Sequence, residues 1–188
     1  MDSSKRLLAL DVFRGMTIAG MILVNNQGSW SAVYAPLRHA DWHGCTPTDW
    51  VFPFFLFIVG VAIPLALGRR KEEGQDRTAI FRKILFRTAA IFVIGLLLHL
   101  IPRFDFAHMR IPSVLQRIAL VYGACATIFM FSNWKRQLWI GVGLLLLYWA
   151  LMALVPVPGG YPPNLEKETN LGAWLDRLIF TSNHLWSQ

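Results

Sequence analysis

Residues Trp50–Leu67 read WVFPFFLFIVGVAIPLAL, a run without one charged side chain. Its apolar residues come as a block, not at the spacing of an amphipathic helix, and the block is long enough to span hydrocarbon. Polar chain bounds it on both sides: RHADWHGCTPTD (Arg38–Asp49) before and GRRKEEGQDR (Gly68–Arg77) after. A lipid-soluble helix meeting such a preceding segment sets both the fold class and the functional question. Within a few residues, His39, Asp41, His43, Cys45 and Asp49 stand at the lip of a membrane span.

The whole chain repeats this pattern. Its 188 residues are 55% hydrophobic and 15% charged, with 8 Trp and 13 Phe, more apolar surface than a soluble domain of this length can hide. Five spans are predicted, about 7–26, 50–67, 84–101, 112–131 and 138–155, giving an all-α, polytopic membrane helix bundle over 1–155. Trp50, Trp139 and Trp149 sit where headgroups belong. Pro53 and Pro64 fall in the second span, a place where a bundle tolerates them with a bend. Residues 156–188 form an external segment, with turn-rich PVPGGYPPNLEKETN followed by LGAWLDRLIFTSNHLW as a short amphipathic helix on the membrane surface. Lys5 and Arg6 imitate a signal peptide, but Asp11 and Arg14 break the apolar core such a peptide needs, so this is a retained first span.

The net charge of +7 belongs to topology and anionic headgroups; it does not point to nucleic acid. Of the 18 Lys and Arg, ten flank the spans on the side of the N-terminus, Gly68–Lys83 and Ser132–Gln137. Five lie on the other side, and Arg14, Arg87 and Arg117 lie within spans. The positive-inside rule places the N-terminus in the cytoplasm and the His39 loop outside. Cys45 and Cys125 have neither disulfide nor zinc-module spacing.

Ionisable residues inside a span are functional candidates by default. Advancing about 100° per residue from Asp11, Arg14 falls at about 300° and Asn25 at about 320°, a stripe about 60° wide. That stripe rises roughly 21 Å from one end of the span to the other. A local Asp11–Arg14 ion pair explains two of the three residues and leaves Asn25 over. Gln116 and Arg117 sit one turn below the external surface in the fourth span, level with Asn25 and His99, while Arg87 can snorkel to the basic side. In the loop, His39 and His43 are four apart, a chelating spacing only on a helix, and Gly44 and Pro47 oppose a helix there. No metal is expected. A histidine with carboxylates beside it and an apolar wall below suits a general base or an acyl-accepting nucleophile.

Three stretches, LDVFRGMTIAGMILVNN (10–26), HADWHGCTPTDWVFPFFLFIVG (39–60) and RIPSVLQRIALVYG (110–123), resemble the transmembrane acetyltransferases typified by heparan-α-glucosaminide N-acetyltransferase. The resemblance implies His39 as the catalytic residue, with Asn25 beside it, and carries no role to His43. It implies acetyl-CoA as co-substrate, drawn from the cytoplasm, and an amino-sugar or glycan acceptor of glucosamine type on the far side. It implies an integral protein of a bacterial inner membrane, in contact with lipid; a homo-oligomer is compatible with it. Around this core, Asp41 or Asp49 would stabilise the imidazolium and Gln116 and Arg117 would support substrate. Arg14, Arg69, Arg70 and Lys83 would serve the donor, the basic residues pairing with its phosphates. Members of the family are longer and carry more spans, so the chain reads as the N-terminal portion of such a protein or a truncated product. An amino-sugar permease accounts for the spans and intramembrane charges as well, although polar groups at the two ends instead of the midplane favour the enzyme. A purely structural subunit is the third reading.

Overall fold

The computed structural model describes residues 7–101, 104–106, 110–181 and 184–185; Lys5, Arg6, Arg103 and Trp186 lie outside them. Among these residues six helices follow in order: α1 Leu8–Asn25, α2 Val51–Glu72, α3 Arg77–Leu100, α4 Val114–Phe131, α5 Trp134–Leu154 and α6 Leu171–Phe180. The first five are long and apolar enough to cross a membrane. Extended pairing among the described residues is limited to a Val157–Tyr161 bridge, which closes a turn through Gly159 and Gly160. The chain is all-α, as its composition requires of a segment passing through lipid, where only a helix satisfies its own peptide groups.

Helix ends depart from the hydropathy boundaries. α2 continues to Glu72 instead of stopping at Leu67, α3 begins at Arg77 instead of Ile84, and α5 begins at Trp134 instead of Leu138. The expected loop Gly68–Lys83 is therefore mostly helix. Arg69, Arg70 and Lys71 occupy the last turn of α2, and Arg82 and Lys83 lie on the first turns of α3. Hydropathy marks the lipid-soluble length, but peptide hydrogen bonding goes on into the headgroup zone, and cations at a helix C-terminus favour that extension. Only residues 73–76 separate the two helices. Gly74 adopts φ +65°, which glycine reaches without strain, and the Asp76 side chain caps α3 by accepting from the Thr78 N–H at 2.9 Å. Arg69 donates to Glu73 at 2.6 Å, and this hydrogen bond holds the Glu73 carboxyl below the usual carboxylate range. Pro53 falls in the first turn of α2, where its missing N–H leaves no gap; only Pro64 is interior.

Two compact units divide the chain, Met1–Ala66 and Leu67–Gln188. In the first, α1 meets α2 through Phe13, whose ring lies edge-on to Phe54 and Phe57 at 5.3 and 6.4 Å, and through Gly20 against Val51. Phe13, Thr17, Gly20 and Val24 share one face of α1, centred about 120° from the Asp11–Arg14–Asn25 stripe, which accordingly points away from this contact. In the second unit α3 and α4 form the closest pair. Two glycines allow it: a Cβ on Gly95 would lie 2.9 Å from Gln116 Oε1, and one on Gly123 would lie 2.7 Å from Thr88 Oγ1. Lys71 ties the end of α2 to the end of α4, donating to the Phe129 and Ser132 carbonyls at 2.5 and 2.6 Å with its ammonium over the Phe129 ring. No residue of α5 is buried; its leucines and tryptophans present the apolar surface that lipid requires.

The Lys71 contact is charge-assisted and part-buried, so its loss takes the side-chain donor from the Phe129 carbonyl and leaves the Ser132 carbonyl with Gln137 Nε2 at 3.2 Å. Lys71→Met is expected to lower stability by about 1–3 kcal/mol, and Lys71→Arg by less. Thermal unfolding in detergent, followed by helical circular dichroism, measures both.

Candidate active site

The segment between α1 and α2 folds around one carboxylate. Asn26 and Gln27 end α1 by returning their side-chain amides to the carbonyls of Ile22 and of Leu23 and Val24. Two 3-10 turns follow, at Ala35–Leu37 and Pro47–Trp50, and Thr48 Oγ1 joins them by donating to the Pro36 carbonyl at 3.1 Å. Thr46 caps the second turn, Pro47 takes its first position without an N–H to lose, and Asp49 reaches back to the Thr46 N–H, a reciprocal capping box. Asp49 Oδ2 accepts from Thr46 N at 2.8 Å, Thr46 Oγ1 at 3.0 Å and Ala40 N at 3.3 Å. Its other oxygen, Oδ1, lies 2.6 Å from His39 Nδ1.

That last contact fixes the chemistry of the histidine. A carboxylate that already takes three donors on Oδ2 receives the Nδ1 hydrogen on Oδ1, so the neutral ring carries its free lone pair on Nε2. The His39 side chain is 66% exposed and Asp49 27%, so the imidazole faces outward while the carboxylate behind it is shielded. Asp41 is turned elsewhere, with an exposed 3.5 Å contact to Arg38. Of the two candidate carboxylates, Asp49 is the one joined to His39. Among the described residues no group of three or more His, Cys, Asp or Glu side chains gathers as a metal cage would need.

The remaining candidates are distributed as follows. Asn25 ends α1 with an exposed side chain and makes no hydrogen bond to His39. Arg14 pairs with Asp11 at 3.3 Å, both sides about half exposed. Arg70 and Lys83 are exposed, and Arg69 is engaged by Glu73. Gln116 is buried to 2% exposure against α3 while Arg117 points outward. Just before α4, burial lowers the pKa of the Arg110 guanidinium, and the Arg117 charge adds to the effect. Not anticipated from the sequence were Thr46 and Thr48 as the supports of the loop, and the pairing of His99 with Ser113. The first had a readable signal, the T-x-x-D spacing of a capping box ahead of an apolar run.

With this geometry stands a direct likeness to known proteins. Residues 6–166 match the family model for heparan-alpha-glucosaminide N-acetyltransferase, catalytic. The chain belongs to this family. Among its relatives are the heparan-alpha-glucosaminide N-acetyltransferases of Mus musculus, 28% identical over 224 aligned positions, and of Homo sapiens, 28% identical over 221. These alignments take in 98% and 96% of this chain but only 33% and 32% of the mouse and human proteins. The chain thus spans about a third of the length of the curated relatives it matches.

Nitrogen-detected NMR of the histidine rings tests the tautomer. His39 is expected to show a protonated Nδ1 and a bare Nε2, a pattern that Asp49→Asn shifts and Asp41→Asn leaves in place. Thr46→Val, which removes only the capping hydroxyl, is expected to destabilise the turn by about 1 kcal/mol.

Proposed function

We propose that this chain carries the acyl-transfer centre of a membrane-embedded acetyltransferase, moving an acetyl group from cytoplasmic acetyl-CoA to the amino group of a glucosamine-type sugar on the outer side. The observation that carries the reading is the 2.6 Å His39–Asp49 contact, which holds a histidine with its basic nitrogen outward in a loop beside a membrane span. Family membership supplies the reaction class, since the mouse and human relatives are named N-acetyltransferases of a glucosaminide. In this reading residues 1–155 are the membrane portion and 156–188 an external segment, in a bacterial inner membrane with the N-terminus inside.

In the proposed step the acceptor amine attacks the thioester carbonyl. A C–N bond forms and the C–S bond breaks. His39 Nε2 takes the proton released from nitrogen and returns it to the departing thiolate, so that N-acetyl sugar and free coenzyme A leave with no net proton on the enzyme. A two-step course through acetyl-His39 uses the same atoms, with imidazole nitrogen as the first nucleophile. Asp49 orients the ring and stabilises it while charged, and Asn25 donates to the carbonyl oxygen as it becomes negative. Gln116 and Arg117 support the substrate. Arg14, Arg69, Arg70 and Lys83 attract the donor's phosphates.

The test is incubation of the purified 188-residue chain with radiolabelled acetyl-CoA and glucosamine. Product is expected from the wild type, none above background from His39→Ala, and a loss of about 10²-fold or more from Asp49→Asn. Donor bound without product would show that this third of the longer relatives lacks the rest of the machinery. Neither binding nor product would favour the permease. The orientation is tested separately in intact cells. Cys45, a free and exposed thiol in the His39 loop, is expected to react with a membrane-impermeant maleimide added outside, in a Cys125→Ser background.

A further inference from the structure

Away from His39, a serine, a histidine and a main-chain carbonyl stand in line where α3 ends and α4 begins. His99 Nδ1 lies 3.0 Å from the Gly95 carbonyl oxygen, and its Nε2 lies 3.3 Å from Ser113 Oγ. A carbonyl oxygen only accepts, so Nδ1 bears the hydrogen of the neutral ring and Ser113 donates its hydroxyl hydrogen to Nε2. That is the order of a serine nucleophile, its base and the group that orients the base, with a carbonyl where a carboxylate is more usual. The 3.3 Å separation is at the loose end of such pairs before a substrate arrives.

The surroundings fit the same chemistry. Ser113 holds the N-cap position of α4, where a serine hydroxyl ordinarily accepts from the first turn; here it makes no such bond and goes to His99 instead. The first N–H groups of α4 are left without that cap. The N–H after the serine, on Val114, is the one that receives an oxyanion wherever a nucleophilic serine opens a helix. Gln116, one turn on, is 2% exposed, and neither its Oε1 nor its Nε2 is hydrogen-bonded among the described residues. It lies against Gly95, the residue whose carbonyl holds His99. An unpaired buried carboxamide is costly, and a purely structural helix contact has no use for one. Ser113 is 6% exposed while His99 and Val114 are exposed, so the hydroxyl is shielded and its base faces outward.

Two features name the substrate. The site lies where two candidate spans end, the level of the ester groups of membrane lipid. Arg110 and Arg117 stand three residues before Ser113 and four after it. Burial, and then the charge of Arg117, lowers the pKa of Arg110, so the two guanidiniums are near enough to face one phosphate.

We propose that Ser113 and His99 form a second acyl-transfer centre, a serine esterase site for the acyl ester of a phospholipid. Ser113 Oγ attacks the ester carbonyl carbon as His99 Nε2 takes its proton, and Val114 N–H and Gln116 Nε2 donate to the oxyanion. The ester C–O bond breaks, the lipid alcohol leaves with the proton from His99, and the acyl group stays on Ser113. Water then adds to the acyl-serine with His99 as base, the Oγ–C bond breaks, and a fatty acid leaves. One ester and one water become one acid and one alcohol, with no part for His39 or acetyl-CoA.

The test uses the full 188-residue chain in phosphatidylglycerol nanodiscs. A fluorophosphonate probe is expected to phosphonylate Ser113, read by tandem mass spectrometry, and His99→Gln to slow that labelling by about 10²-fold or more. Free fatty acid is expected from the wild type, none above background from Ser113→Ala, and about 10²-fold less from Gln116→Leu. The wild type alone covers the case in which the variants fold poorly. Its Ser113 is expected to escape the probe once the chain has been unfolded in dodecyl sulfate, because a serine without its base is inert. An unlabelled Ser113, equal labelling of folded and unfolded chain, or equal rates with and without His99 each overturn the centre. Labelling without release of fatty acid overturns the lipid ester as its substrate.

Discussion

Hydrocarbon offers no partner to a peptide N–H or C=O, and the architecture follows from that deprivation. Each passage through lipid has to be a helix that satisfies itself, so irregular chain is confined to the ends of spans. Polar side chains then gather at those ends. The segment between α1 and α2 shows how a short irregular stretch survives there. It has two 3-10 turns, a Thr48 hydroxyl joining them, and a carboxylate that absorbs four donors. Local hydrogen bonding replaces the regular ladder, and a histidine is one of the groups it recruits.

Between the helices, lipid also removes the hydrophobic drive to associate, leaving close packing and polar contacts to hold them together. α3 and α4 meet through glycines, and Lys71 closes the C-terminal end of α4 with two charge-assisted bonds. α5, with no buried residue, shows the other solution, an apolar surface turned outward.

How far the sequence revealed all this depends on the physics of each feature. The five spans were legible because transfer into lipid is a property of composition, summed over a window. Where α2 stops and α3 starts was not, because the residues from Gly68 to Lys83 are read as polar whether they coil or continue a helix. His39 stood out by its neighbours and by resemblance. Which carboxylate serves it depended on how the nine residues between His39 and Asp49 bend, and spacing alone left Asp41 equal to Asp49. The burial of Gln116 was invisible for a related reason. One turn of helix places it against α3, while the adjacent Arg117 points outward, and only the packed pair of helices tells them apart.

Asp49 has one more consequence. In many enzymes the catalytic groups strain the fold, and mutations that relieve the strain raise stability at the expense of turnover. Here a single carboxylate closes the turn that leads into α2 and grips the imidazole. Drift at this position cannot trade one property for the other, since both are lost with the same two oxygens. Durability of the loop and orientation of the imidazole rest on one side chain.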